Sequence, residues 1–125
     1  KFIIAKITKY LKILKNKKIL IIGVAYKKNI DDCRESPSLT IISELIRKGS
    51  EVSYHDPYVK NFPTTRKHNI NLKSIDINKS NLKKFDCVVI STDHDNINYN
   101  LIKRHSKIIF DSRGIWSPDD KIIRI

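Results

Sequence analysis

Methionine is absent from these 125 residues, and glycine, cysteine and tryptophan are scarce, at three, two and one. Each shortage excludes something. A dinucleotide fingerprint of the G-x-G-x-x-G type needs three clustered glycines for its tight turn and close approach to pyrophosphate, and the first candidate loop has only Gly23. Two cysteines make no disulfide framework. Cys87 lies in the apolar run Cys87-Val88-Val89-Ile90 and reads as core packing. Cys33 neighbours Arg34, and a nearby cation lowers a thiol pKa, but nucleophilic catalysis also needs a base, and the sequence specifies none. No apolar run approaches the roughly 18 residues of a membrane span, and the basic N-terminus lacks a cleavage-site pattern, so a soluble, cytoplasmic protein is expected. A chain that starts at Lys1 and contains no Met reads as a piece of a longer protein, long enough for one domain with a single core.

Charge is plentiful but uneven. The net charge is +12 from 25 basic and 13 acidic residues. Nine of the lysines fall within residues 1–30, which hold no acid, leaving 16 basic against 13 acidic residues elsewhere. Such an end could touch nucleic acid or an anionic membrane. No recognition motif or interleaved aromatic platform accompanies it, so neither partner is expected. The abundance of Ile, Lys and Asn reads as the imprint of an AT-rich coding sequence.

The richest stretch is Gly23-Val24-Ala25-Tyr26-Lys27-Lys28-Asn29-Ile30-Asp31-Asp32-Cys33-Arg34-Glu35-Ser36-Pro37. It follows Lys18-Ile19-Leu20-Ile21-Ile22, a short β-branched run suited to a strand buried on both faces of a parallel sheet. Ser36 is a good N-cap and Pro37 a good first helical residue; Leu39, Ile42, Leu45 and Ile46 then recur at helical spacing up to a stop at Gly49. A strand, a polar loop and a helix in this order form a frequent anion site. With so little glycine, any phosphate would be held by Lys27, Lys28 or Arg34 side chains. The alternative is a solvated loop in which Arg34 and Lys28 pair with Asp31, Asp32 and Glu35.

Along the rest of the chain, Ile3, Ile4, Ile7, Leu11 and Leu14 mark one face of an amphipathic helix over residues 2–14. That face suits a membrane surface or, in a piece of a larger protein, a helix parted from its packing partner. Strands are expected at Glu51–His55, near Ile70–Ile75, at Asp86–Ile90 and at Lys107–Phe110, with a short edge strand at Ile122–Ile125. Helices are expected at Asn78–Lys84 and about Ile97–His105, and residues 57–69 read as a surface loop. The alternation implies right-handed crossovers and an α/β, Rossmann-like three-layer sandwich with a mostly parallel sheet, preceded by the amphipathic helix. Tyr26 to Arg34, Asp56, Thr92 to Asp95, and Ser112 and Arg113 then all follow strand C-termini, along one rim. His94, between Asp93 and Asp95, lacks a closed metal-ligand set and reads as a helix cap in a solvated turn, so no metal site is expected. Trp116 reads as packing under the C-terminal loop rather than a base-stacking platform. His55, His68 and His105 are scattered and receive no role.

The segment Gly23 to Leu39, followed by Val52-Ser53-Tyr54-His55-Asp56-Pro57, resembles the C-terminal domain of the UDP-glucose/GDP-mannose dehydrogenase family. It is most similar there to bacterial UDP-N-acetylglucosamine and UDP-N-acetylmannosamine 6-dehydrogenases. Asp86 to His94 and Phe110-Asp111-Ser112-Arg113 also fit, in order. The resemblance implies that residues 1–15 are the end of an interdomain connecting helix and residues 16–125 a UDP-sugar-binding domain. It implies an NAD-dependent oxidation of a sugar C6 alcohol to a carboxylate, for surface polysaccharide precursors, in a homo-oligomeric enzyme. By the same resemblance, Lys27 contacts the nucleotide-sugar, Arg113 helps grip UDP, Tyr26 stands near the nucleotide, and Arg34 reaches toward the NAD pyrophosphate. The family's catalytic cysteine, lysine and aspartate and its NAD-binding glycine loop match nothing here, so no catalytic residue is assigned and the piece alone is expected to be inactive. The competing expectation is a stand-alone, non-catalytic Rossmann-like nucleotide-binding module.

Overall fold

A computed structural model describes residues 2–34, 36–62 and 71–125. Five strands, β1 (Lys18–Ile22), β2 (Glu51–His55), β3 (Cys87–Ile90), β4 (Ile109–Asp111) and β5 (Ile122–Arg124), form one sheet in the order β2-β1-β3-β4-β5. Every pairing is parallel, with Ile21 opposite both Tyr54 and Val89. Helices α1 (Phe2–Leu11), α2 (Pro37–Arg47), α3 (Lys79–Leu82) and α4 (Tyr99–His105) complete the described elements.

The pleat divides the core into two halves. Ile19, Ile21, Val89 and Phe110 face α1 and α2, whereas Leu20, Ile22, Val88, Ile90 and Ile109 face α3 and α4. This is the expected three-layer sandwich. β1 and β3 are buried on both faces, which is why they read as unbroken apolar runs, while β2, at the edge, alternates with Val52 and Tyr54 inward. Ile42 and Leu45 of α2 are fully buried, and truncating either to alanine would cost about 2–5 kcal/mol. The α2 caps are as the sequence indicates, with Ser36 accepting the Ser38 amide and Pro37 opening the helix.

Two expectations need correction. The apolar stripe of α1 is not parted from its packing partner: Ile4 and Ile7 are buried with Leu14 in the same core as β1, and Tyr10 packs edge-on against Phe110. Among the described residues Phe2, Tyr10 and Ile13 leave apolar surface exposed at this end. The strand near Ile70–Ile75 is reduced to single bridges, Tyr54 with Ser74 and Asn61 with Lys73, along the outer edge of β2. Residue 70 of that stretch and residues 63–69 of the expected surface loop lie outside the described residues. β5 is an edge strand as expected, ending at Arg124.

Candidate functional site

Strand order reverses at β1, which has β2 on one side and β3 on the other. Chain leaving β1 and chain leaving β3 therefore diverge at one point of the carboxyl edge, where open α/β sheets place ligands. Gly23 stands at that point with φ +83°, and a Cβ there would run into the backbone of Thr92. The close approach of two protein loops requires the glycine.

The loops are then tied to each other by buried polar groups. Ser38 Oγ donates to the Gly23 carbonyl at 2.9 Å and lies against Ser91 Oγ, and Thr92 Oγ1 donates to the Ala25 carbonyl at 2.7 Å. Asp56, which follows β2, accepts the Val24 and Ala25 amides on Oδ2 at 2.8 and 3.2 Å, and the Tyr58 amide on Oδ1 at 2.8 Å. His94, whose side chain is wholly buried, completes the set, with Nε2 2.9 Å from Asp56 Oδ2 and Nδ1 accepting the Asn29 amide at 2.7 Å. An Nδ1 that accepts must lack a proton, so in this arrangement Nε2 carries the hydrogen and donates to Asp56. Asn29 itself sits at φ +64° and clasps Asp95 at two points, donating to its carboxylate and accepting its amide.

His94 is accordingly neither a helix cap nor a solvated residue. The cap of α4 is Asn98, whose side chain accepts the Leu101 amide. Burial of His94 depends on Asp56, 38 residues earlier, a pairing that local sequence cannot display. Among the described residues no three His, Cys, Asp or Glu side chains converge as a metal site.

The predicted site residues sit on this platform as follows. Tyr26 is half exposed and Lys27 is exposed at the crest of the β1 loop, while Lys28 reaches Asp95 at 3.6 Å. Arg113 follows β4, and its Nε donates to the Ser91 carbonyl at 2.9 Å, so Arg113 leans on the same β3 loop that supports the Lys27 crest. Its turn is built by Asp111, fully buried, which accepts the amides of Arg113, Gly114 and Trp116. Trp116 packs edge-on to Tyr99, under the C-terminal loop as expected. Arg34 lies at the far end of the β1 loop and is engaged: Nε and Nη2 grip both oxygens of Asp32 at 3.1 and 2.9 Å. That bidentate pair holds the Asp32 carboxyl down at about 2.

Arg34 is thus unable to lower the Cys33 thiol. Burial, helped by Asp56, Asp32 and Asp31, pushes Cys33 up to about 11, so it is not a poised nucleophile. Cys87 is likewise raised by burial, to about 12.

The larger depressions among the described residues lie away from this rim. One of about 520 Å³ runs between α1 and α2, lined by Ile4, Thr8, Lys9, Glu44 and Lys48, and one of about 470 Å³ lies by Lys103, Arg104 and Lys121. Neither includes a residue of the rim. What the rim carries instead is several cations, the half-exposed Tyr26 and a loop held at many points.

Residues 20–118 match the UDP-binding domain of the UDP-glucose/GDP-mannose dehydrogenase family. The chain belongs to that family. Among curated proteins it is 35% identical to the UDP-N-acetyl-D-mannosamine dehydrogenase of Methanocaldococcus jannaschii, over 94% of this chain and 27% of that protein. It is 32% identical to the UDP-glucose 6-dehydrogenase of Rickettsia bellii, over 86% of this chain and 26% of that one. The solved UDP-D-ManNAc dehydrogenase of Pyrococcus horikoshii superimposes with a TM-score of 0.68 at 26% identity, covering 97% of this chain and 28% of the other. The chain thus spans about a quarter of the relatives it matches. The match to the UDP-binding domain contains Tyr26, Lys27, Arg34 and Arg113, and the fold is that of the solved dehydrogenases.

Proposed function

We propose that this chain is the nucleotide-sugar-binding part of an NAD-dependent UDP-sugar 6-dehydrogenase, which oxidises a sugar C6 alcohol to a carboxylate. The observation that carries this is the family match over residues 20–118, with Lys27 and Arg113 on one rim at the topological switch point. The same match favours a piece of this enzyme over a stand-alone binding module.

Lys27 contacts the nucleotide-sugar as a point charge, Arg113 grips the UDP diphosphate, and Tyr26 lies beside the nucleotide. Arg113 suits this role because Nε is held by the Ser91 carbonyl while the other guanidinium nitrogens make no hydrogen bond among the described residues. Among the described residues Arg34 suits NAD: its side chain is 87% exposed, and its planar fork fits a pyrophosphate once it exchanges Asp32 for that ligand. When bound, NAD supplies the hydride acceptor. The part played by these residues is positioning, so that the sugar C6 meets chemistry carried elsewhere in the protein. α1 is the end of the helix that connects to that remainder, and the whole enzyme is a cytoplasmic homo-oligomer acting on surface polysaccharide precursors.

Titration of the chain with UDP and with NAD, followed by amide shifts, tests the assignment. UDP should bind in the millimolar range, about −4 kcal/mol, with the largest shifts in residues 23–29 and 112–114, and Arg113→Ala should weaken it. Micromolar NAD binding without a response to UDP would overturn the proposal.

A further inference from the structure

The exposed crest of the β1 loop, residues 26–28, is anchored on both sides by one buried pair. On the near side Asp56 Oδ2 takes the Val24 and Ala25 amides. On the far side His94 Nδ1 takes the Asn29 amide. The two anchors are themselves joined, His94 Nε2 to Asp56 Oδ2 at 2.9 Å, with both side chains wholly buried. The crest therefore spans a fixed gap between two points of a single rigid unit.

Everything packed around the pair reinforces it. The Tyr58 ring tilts over the imidazole at 4.8 Å between centroids, and the Tyr99 hydroxyl donates to the His94 carbonyl at 2.6 Å. The Asp56 amide is bonded to Ser74 Oγ at 2.8 Å. Asn29, held at positive φ, passes the constraint on to Asp95 through its two-point clasp. One carboxylate receiving two loop amides, a neighbouring backbone amide and an imidazole N–H is a costly arrangement for a surface turn with nothing to present.

Resting on the UDP-binding reading above, we infer that Asp56 and His94 are positioning residues for the nucleotide: Asp56 by holding the Val24 and Ala25 amides and His94 Nδ1 by holding that of Asn29 pre-form the 24–29 backbone and so fix where Lys27 meets the phosphate. Neither side chain reaches a ligand, since both are buried under the loop. Their effect on affinity passes through Lys27. Preorganisation of this kind removes the cost of ordering the loop when UDP arrives.

Two variants separate this role from general stability. His94→Gln keeps an amide N–H near the Nε2 position for Asp56 but removes the acceptor for Asn29, whereas His94→Asn keeps an acceptor near the Nδ1 position. Both lose the same ring and should lower the melting temperature comparably. Only His94→Gln should raise hydrogen exchange at the Asn29 amide by tenfold or more, and only it should weaken UDP, by about five- to tenfold. The loss should vanish in a Lys27→Ala background, because a misplaced Lys27 and an absent one come to the same thing. Nitrogen-15 spectra of wild-type His94 should show the Nε2–H tautomer. Unchanged Asn29 exchange in His94→Gln, equal UDP losses in both variants, or losses that add to that of Lys27→Ala would each overturn the inference. If wild type fails to bind UDP, the functional reading above falls and takes with it the claim about the nucleotide, whereas Asn29 exchange and the tautomer still decide whether the pair pre-forms the loop.

Discussion

Replacing Gly23 with alanine should be one of the most costly single-methyl additions available to this chain, and Gly49 provides its control. Both glycines have positive φ, +83° and +92°, so each alanine incurs about 1–2 kcal/mol for a left-handed backbone. The surroundings differ. A Cβ at Gly49 would meet the Lys15 Cγ at 3.2 Å, the flexible stem of a surface side chain that can swing away. A Cβ at Gly23 would meet the carbonyl and Cα of Thr92, and Thr92 is held by its amide and that of Ser91 to the Ile22 carbonyl at 3.1 and 2.9 Å. Relief requires opening the seam between β1 and β3, for about 1–3 kcal/mol more. Gly23→Ala should therefore cost about 2–5 kcal/mol and Gly49→Ala about 1–2, against a total stability of roughly 5–15 kcal/mol. Urea unfolding followed by Trp116 fluorescence would read both, with a lower midpoint at unchanged slope. Equal midpoints for the two variants would refute the claim that the loops are in contact at Gly23.

Other consequences follow from the same geometry. Because the folded Asp32 carboxyl lies at about 2, below its ordinary 3.8, the Asp32–Arg34 pair contributes above pH 3.8 and is lost as pH falls through 2; carbon-13 titration should show this, and Arg34→Ala should return Asp32 toward 3.8. With thiols at about 11 and 12, Cys33 and Cys87 should resist iodoacetamide at pH 8 in the folded chain and react on unfolding; rapid native alkylation of Cys33 would contradict its burial. Asp111→Asn sets an amide NH₂ against one of the three N–H groups that Asp111 now accepts, so it should destabilise by about 1–3 kcal/mol, shift Trp116 fluorescence and weaken UDP by disturbing Arg113.

What could be read from the sequence was local. β1 and β2 fall where expected because an apolar β-branched run bounded by polar residues has few alternatives, and α2 because Ser36 and Pro37 specify its start. α1 is shorter than its apolar pattern, ending at Leu11, just before Lys12 turns to φ +70°, although Leu14 continues to bury itself. What could not be read was pairing at a distance. Asp56 reads only as a residue after a strand and His94 as a cap in a solvated turn between two acids, whereas the two side chains are buried against each other across β1. Cys33 misled for a related reason: adjacency to Arg34 in sequence says nothing about which carboxylate holds the guanidinium in space.

Lys27, Arg113 and Arg34 differ in what each must surrender to a ligand, and this orders their use. Among the described residues nothing lies within hydrogen-bond reach of the Lys27 ammonium, which gives up only water to meet a phosphate. Arg113 keeps its Nε bond to the Ser91 carbonyl, has Asp93 at 4.0 Å, and can still offer its outer edge. Arg34 must first relinquish a bidentate carboxylate, the geometry a guanidinium favours most, and an exchange of that kind proceeds only toward an anion that binds in the same fork. A lone phosphate or a chloride is a poor competitor; a pyrophosphate held in place by other contacts is a good one. On the proposed function, Lys27 and Arg113 should therefore engage the first anion that reaches the rim, and Arg34 should commit only when a second, well-positioned diphosphate arrives. Substituting Asp32→Asn removes that restraint and should make Arg34 respond to phosphate as readily as Lys27 does, a difference that amide and guanidinium shifts would register directly.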